Sequence, residues 1–98
     1  MTINKTREGS SLTVALEGRL DTVTAPELEQ ELKGSLEGVN ALTLDLEKLE
    51  YISSAGLRVL LGAQKIMNRQ GAMELTHVGG AILEIFEVTG FTDVLTIR

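Results

Sequence analysis

The chain has 98 residues, a formal net charge of −5 at neutral pH, and a composition that is 43% hydrophobic, 23% charged and 3% aromatic. That length leaves room for one domain over residues 1–98, and its thin core argues against a deep, water-free active site. The acidic balance repels nucleic acid, the aromatic residues Tyr51, Phe86 and Phe91 offer no stacking platform, and a chain with no cysteine and the single histidine His77 is poorly equipped for a metal centre, so no cofactor is expected.

The opening Met1-Thr2-Ile3-Asn4-Lys5 lacks the apolar stretch of a signal peptide, and no apolar run approaches the roughly 20 residues of a membrane span. The expectation is a cytoplasmic protein without membrane insertion. Thr2 to Arg7 is short and mixed, Glu8-Gly9-Ser10 signals a turn, and the apolar positions of Leu12-Thr13-Val14-Ala15-Leu16 alternate, which together predict a hairpin. Gly18 to Thr24 reads as a loop. Thr24 before Ala25-Pro26-Glu27 matches a capping box with proline in the first turn. Ala25, Leu28, Leu32 and Leu36 then form the apolar stripe of a helix that Gly38 closes.

Leu42-Thr43-Leu44-Asp45-Leu46 has period two, a strand with one buried face, and Leu49 continues its contacts. From Ser54 to about Gln70, Leu57, Leu60, Leu61, Gln64 and Met67 mark a second and more buried helix, stopped by Gly71. Met73 to Thr76 is a short strand, Gly79-Gly80 opens a third helix with Ile82, Ile85 and Phe86 inward, Gly90 ends it, and Val94 to Ile97 is a candidate edge strand. The order β-β-α-β-α-β-α predicts an α/β fold: a mixed four- to five-stranded sheet with right-handed crossovers and helices packed mainly on one face.

The most informative stretch runs from Asp45 to Arg58, a strand followed by a tight entry into a helix with Ser53 and Ser54 at its N-terminus. Two roles stay open on the residues alone. One serine caps the helix while Gly56 permits close packing, or the unpaired N–H groups and the positive end of the helix dipole hold a phosphate there. Catalysis fits poorly. His77 stands alone as a base, neither serine lies in a Gly-x-Ser-x-Gly elbow, Glu47 and Glu50 read as solvated carboxylates, and no phosphate-binding glycine loop is present.

Asp45-Leu46 followed by Leu49-Glu50-Tyr51-Ile52-Ser53-Ser54-Ala55-Gly56-Leu57, with Gly18-Arg19-Leu20-Asp21 and Thr24-Ala25 upstream, resembles the two motifs of the anti-sigma-factor antagonists. These are single-domain proteins of the STAS fold, and the resemblance covers essentially the whole chain. It implies a cycle in which the unmodified protein binds an anti-sigma factor that is also a serine kinase, and so frees the sigma factor. Phosphorylation of Ser54, the serine two residues before the glycine, ends the binding, and a serine phosphatase resets it. Ser53 stands where many relatives carry aspartate. The implied partner-binding residues are Asp21, Thr22, Ser53, Ser54, Ala55, Gly56, Leu57, Arg58 and Leu61, with Asp21 beside Ser54 across parallel strands. The competing role for Asp21 is to cap the Thr22 to Thr24 turn, and for Leu57 and Leu61 it is core packing. A monomer is favoured. The rival reading within the fold is an accessory subunit of a membrane transporter or a scaffold in stress signalling.

Overall fold

Alternating apolar residues set the architecture, which a computed structural model describes over residues 1–98. Strands β1 (Thr2–Glu8) and β2 (Ser11–Leu20) form an antiparallel hairpin from Thr2↔Glu17 to Glu8↔Ser11. Gly9 turns it with a φ of +62°, a conformation open to glycine at little cost. Helix α1 (Ala25–Ser35), strand β3 (Ala41–Ile52), helix α2 (Ser54–Gln70), strand β4 (Ala72–Thr76) and helix α3 (Gly80–Thr89) follow. The sheet order is β1-β2-β3-β4, and β3 runs parallel to both β2 and β4, so α1 and α2 serve as the crossovers that parallel pairing requires.

One strand face is apolar and covered, the other polar and open, as the alternation predicted. Val14, Leu44 and Leu75 are fully buried, and Leu28, Leu60 and Phe86 bring the three helices into the same core. Ser11, Thr13 and Glu17 on the opposite face are exposed. Gly71 lets the α2–β4 turn pass the α1–β3 connection, because a Cβ there would lie 1.9 Å from the Asn40 carbonyl oxygen.

Three sequence expectations are corrected. Gly18-Arg19-Leu20 belongs to β2 rather than a loop, and β3 continues through Leu49 to Ile52. Two register shifts account for this: Ser11 pairs with Ala41, Glu17 with Lys48 and Arg19 with Tyr51, so β3 inserts an extra residue at each shift. After each insertion the inward residue comes three positions on, which buries Leu46, Leu49 and Ile52 on one face where strict alternation fails. The capping box does not form, since the Thr24 side chain makes no cap bond to α1 and is engaged in the preceding turn. Val94 to Ile97 is no strand. A 3₁₀ turn at Phe91–Asp93 precedes a single parallel bridge, Ile97 to Leu75, with Leu75 N–H donating to the Thr96 carbonyl and Arg98 N–H to the Leu75 carbonyl at 2.8 and 2.9 Å.

Candidate functional site

β2 and β3 end together, with Leu20 paired to Ile52 and the Ser53 N–H donating to the Leu20 carbonyl over 2.9 Å. The β2–α1 loop and the first turn of α2 therefore leave the same edge of the sheet, Asp21 next to Ser53. Ser53 is the N-cap: its backbone is extended, its Oγ accepts from the Gly56 N–H at 3.4 Å and its carbonyl accepts from the Leu57 N–H at 2.9 Å. Capping falls to Ser53, which leaves Ser54 as the first residue inside the helix, with an exposed side chain. The first N–H groups of a helix lack intrahelical acceptors and carry the positive end of its dipole, so the surroundings of Ser54 favour an anion.

Gly56 sets how closely this turn approaches the sheet. A Cβ there would lie 2.7 Å from Leu20 Cγ and 2.9 Å from Ile52 Cγ1, so glycine lets α2 descend onto the strand ends. Leu57 is only 6% exposed and packs in the core, so it and Gly56 support the site from beneath rather than face outward. Ala55 and Leu61 are half-buried, and Thr22 and Arg58 are exposed. Thr22, Ala25 and Pro26 face Ala55, Arg58 and Val59 across an open groove of about 260 Å³ between α1 and α2, with Glu29 also on its border.

Asp21 organises the loop. Its Oδ1 accepts from the N–H groups of Val23 and Thr24 at 3.0 and 3.1 Å, while the Thr24 hydroxyl accepts from the Asp21 N–H and donates to the Arg19 carbonyl. The turn-capping role weighed for Asp21 is thus realised. The Thr24 N–H is the main cause holding its carboxyl below the usual aspartate value, against partial desolvation, with the Val23 N–H, the Thr24 hydroxyl and Arg19 adding to the effect.

Sequence reasoning missed Arg19. Its guanidinium lies over the Tyr51 ring, 4.3 Å from the centroid, with Nε 3.9 Å from Asp21 Oδ2. The shifted register that pairs Arg19 with Tyr51 has no signature in residue spacing. Val23, 84% exposed in the same loop, was also passed over. Away from this edge, Asp45, Glu47 and His77 bring one ligand-type atom each within 4.8 Å of one another, and Asp45 Oδ1 already accepts from the Glu47 N–H and stands 3.0 Å from His77 Nδ1.

Residues 3–96 match the family model described as "Mlab, STAS domain". The chain belongs to the STAS domain family. Within it, this STAS protein stands with the anti-sigma-factor antagonists. It is 31% identical over 97 residues to the anti-sigma-B factor antagonist of Listeria monocytogenes, covering 96% of this chain and 84% of that one. BtrV of Bordetella bronchiseptica is 38% identical over 88 residues, covering 88% of this chain and 76% of BtrV. The fold superposes on an anti-sigma factor antagonist from Mycobacterium paratuberculosis with a TM-score of 0.89 at 24% identity, covering 99% of this chain and 84% of that one. It also superposes on the phosphorylated form of the Bacillus cell fate determinant SpoIIAA, with a TM-score of 0.77 at 15% identity, covering 99% and 91% of the two chains. No helix of the STAS chain is long and apolar enough to cross a membrane.

Proposed function

We propose that this STAS protein is a cytoplasmic, non-catalytic anti-sigma-factor antagonist whose residues 1–98 act as one domain. In its unphosphorylated form it binds an anti-sigma factor that is also a serine kinase and thereby frees the sigma factor. Phosphorylation of Ser54 ends the binding, and a serine phosphatase restores it. No cofactor takes part and the protein works as a monomer. The observation that carries this reading is the division of labour between the serines: Ser53 caps α2, while Ser54 is exposed at the first helical position.

A phosphoryl group brings about −1.5 to −2 charges and strong acceptor oxygens. At a helix N-terminus the fold tolerates that charge, whereas a closely fitted partner surface over Ser54, Thr22 and Arg58 does not. Similarity to a named antagonist from Listeria and the fold shared with a protein known in a phosphorylated form support the reading. The test is intact-mass and pull-down analysis in the native host with wild type, Ser54→Ala and Ser54→Asp. A single phosphate on Ser54, and a kinase-like partner kept by Ser54→Ala but lost by Ser54→Asp, are expected. If no phosphate is found and both variants keep the same partners, Ser54 is an ordinary helix residue and the transporter-accessory or scaffold reading replaces this one.

A further inference from the structure

The outer face of α2 differs in charge from the rest of the molecule. The chain carries 14 acidic residues against 9 Lys and Arg, yet α2 holds Arg58, Lys65 and Arg69 and no acidic residue. Elsewhere cations are engaged: Lys5 with Glu31, Arg19 with Asp21, Lys33 with Glu29, Arg98 with Glu74, and Arg7 with the carbonyls of Gly9 and Glu37. Arg58, Lys65 and Arg69 are exposed and make no ion pair, a condition shared outside α2 by Lys48 and by Arg7, which bonds only backbone carbonyls. At about 100° per residue, Ser54, Arg58, Gly62, Lys65 and Arg69 fall within an arc of roughly 80°, a stripe about 22 Å long that begins at Ser54.

Gly62 is a second, independent feature of this stripe. It lies in the middle of the helix, exposed, with nothing within 4 Å of where a Cβ would stand, so packing within the chain does not call for glycine. Glycine in a helix interior costs stability, and here it leaves a flat place where another main chain can approach. We propose that this face of α2 is a docking surface for an acidic face of the protein partner. The proposal rests on the reading that the Ser54 end of α2 meets the partner, and it adds the charge of the surface that is met. The stripe has no exposed aromatic anchor, which favours a protein over a lipid surface.

The experiment follows amide shifts of the isotope-labelled full chain titrated with a peptide of alternating Glu and Asp. Two triple variants of equal charge are compared, Arg58→Gln/Lys65→Gln/Arg69→Gln and Lys5→Gln/Lys33→Gln/Lys48→Gln, with circular dichroism confirming that both fold. Shifts centred on Arg58, Gly62, Lys65 and Arg69, and at least about tenfold weaker binding in the first variant alone, are expected. Equal losses in both variants, shifts centred elsewhere, or tighter binding to phosphatidylglycerol vesicles than to the peptide would overturn the proposal. Ser54→Asp separates the two readings. If the α2 variant loses the peptide while Ser54→Asp keeps the kinase-like partner in the native-host pull-down, the stripe stands and the Ser54 switch does not.

Discussion

The Ser53 N–H donates to the Leu20 carbonyl over 2.9 Å, tying the last residue of β2 to the residue that caps α2. Through this bond the loop holding Asp21 and the helix turn holding Ser54 share one edge of the sheet. The site is thus a consequence of parallel strands ending in step, and its parts respond separately to substitution.

Gly56→Ala tests the close approach of α2. A Cβ 2.7 Å from Leu20 Cγ forces the helix start away from the strand ends, and overpacking of this kind costs about 1–3 kcal/mol. Urea denaturation should show a lower midpoint with an unchanged slope. A midpoint equal to wild type would mean that the helix start yields freely.

The two serines should differ sharply in stability. Ser53→Ala removes the cap bond to the Gly56 N–H and is expected to cost about 1 kcal/mol. Ser54→Ala, at an exposed first-turn position, should stay within about 0.5 kcal/mol of wild type. Thermal or chemical denaturation of both variants measures the contrast, and a reversed order would reassign the cap.

Much of this was legible beforehand, and the misses share a cause. Leu42 to Leu46 reads as a strand because its period of two is unbroken, and Ser54 to Gln70 as a helix because its apolar stripe is continuous and Gly71 stops it. The strand pattern fades after Leu46, with only Leu49 read as continuing its contacts, because two register shifts replace that period with steps of three, a property of the pairing with β2 that no single segment carries. Thr24 and Glu27 have the spacing of a capping box, but the Thr24 hydroxyl is already committed to Arg19 and Asp21, contacts fixed by the turn. Spacing alone placed Ser53 and Ser54 at a helix start without telling them apart, since their roles depend on one residue of phase, and only the family resemblance singled out Ser54.

Asp21 predicts a pH dependence. Its folded pKa is lowered, chiefly by the Thr24 N–H, so its contribution to stability is present above the unfolded value and is lost as pH falls through the folded one. Denaturation midpoints measured from about pH 6 down to about pH 2 should fall less steeply for Asp21→Asn than for wild type. Parallel profiles would mean that the turn gains nothing from the ionised carboxylate.

Gly62→Ala should stabilise the isolated protein by about 0.5–1 kcal/mol, because the added methyl meets no neighbour and alanine is the better helix former. The melting temperature is the readout. A loss of stability would show that Gly62 serves the fold itself.

The central claim is that modification of Ser54 separates the protein from its partner without unfolding it. The most direct measurement is calorimetric titration of the purified anti-sigma partner with protein carrying serine or genetically installed phosphoserine at position 54, alongside circular dichroism of both forms. The account predicts superimposable spectra and affinity at least about tenfold weaker for the phosphoserine form, a difference of about 1.4 kcal/mol or more. Equal affinities for the two forms, or loss of binding accompanied by loss of structure, would contradict it.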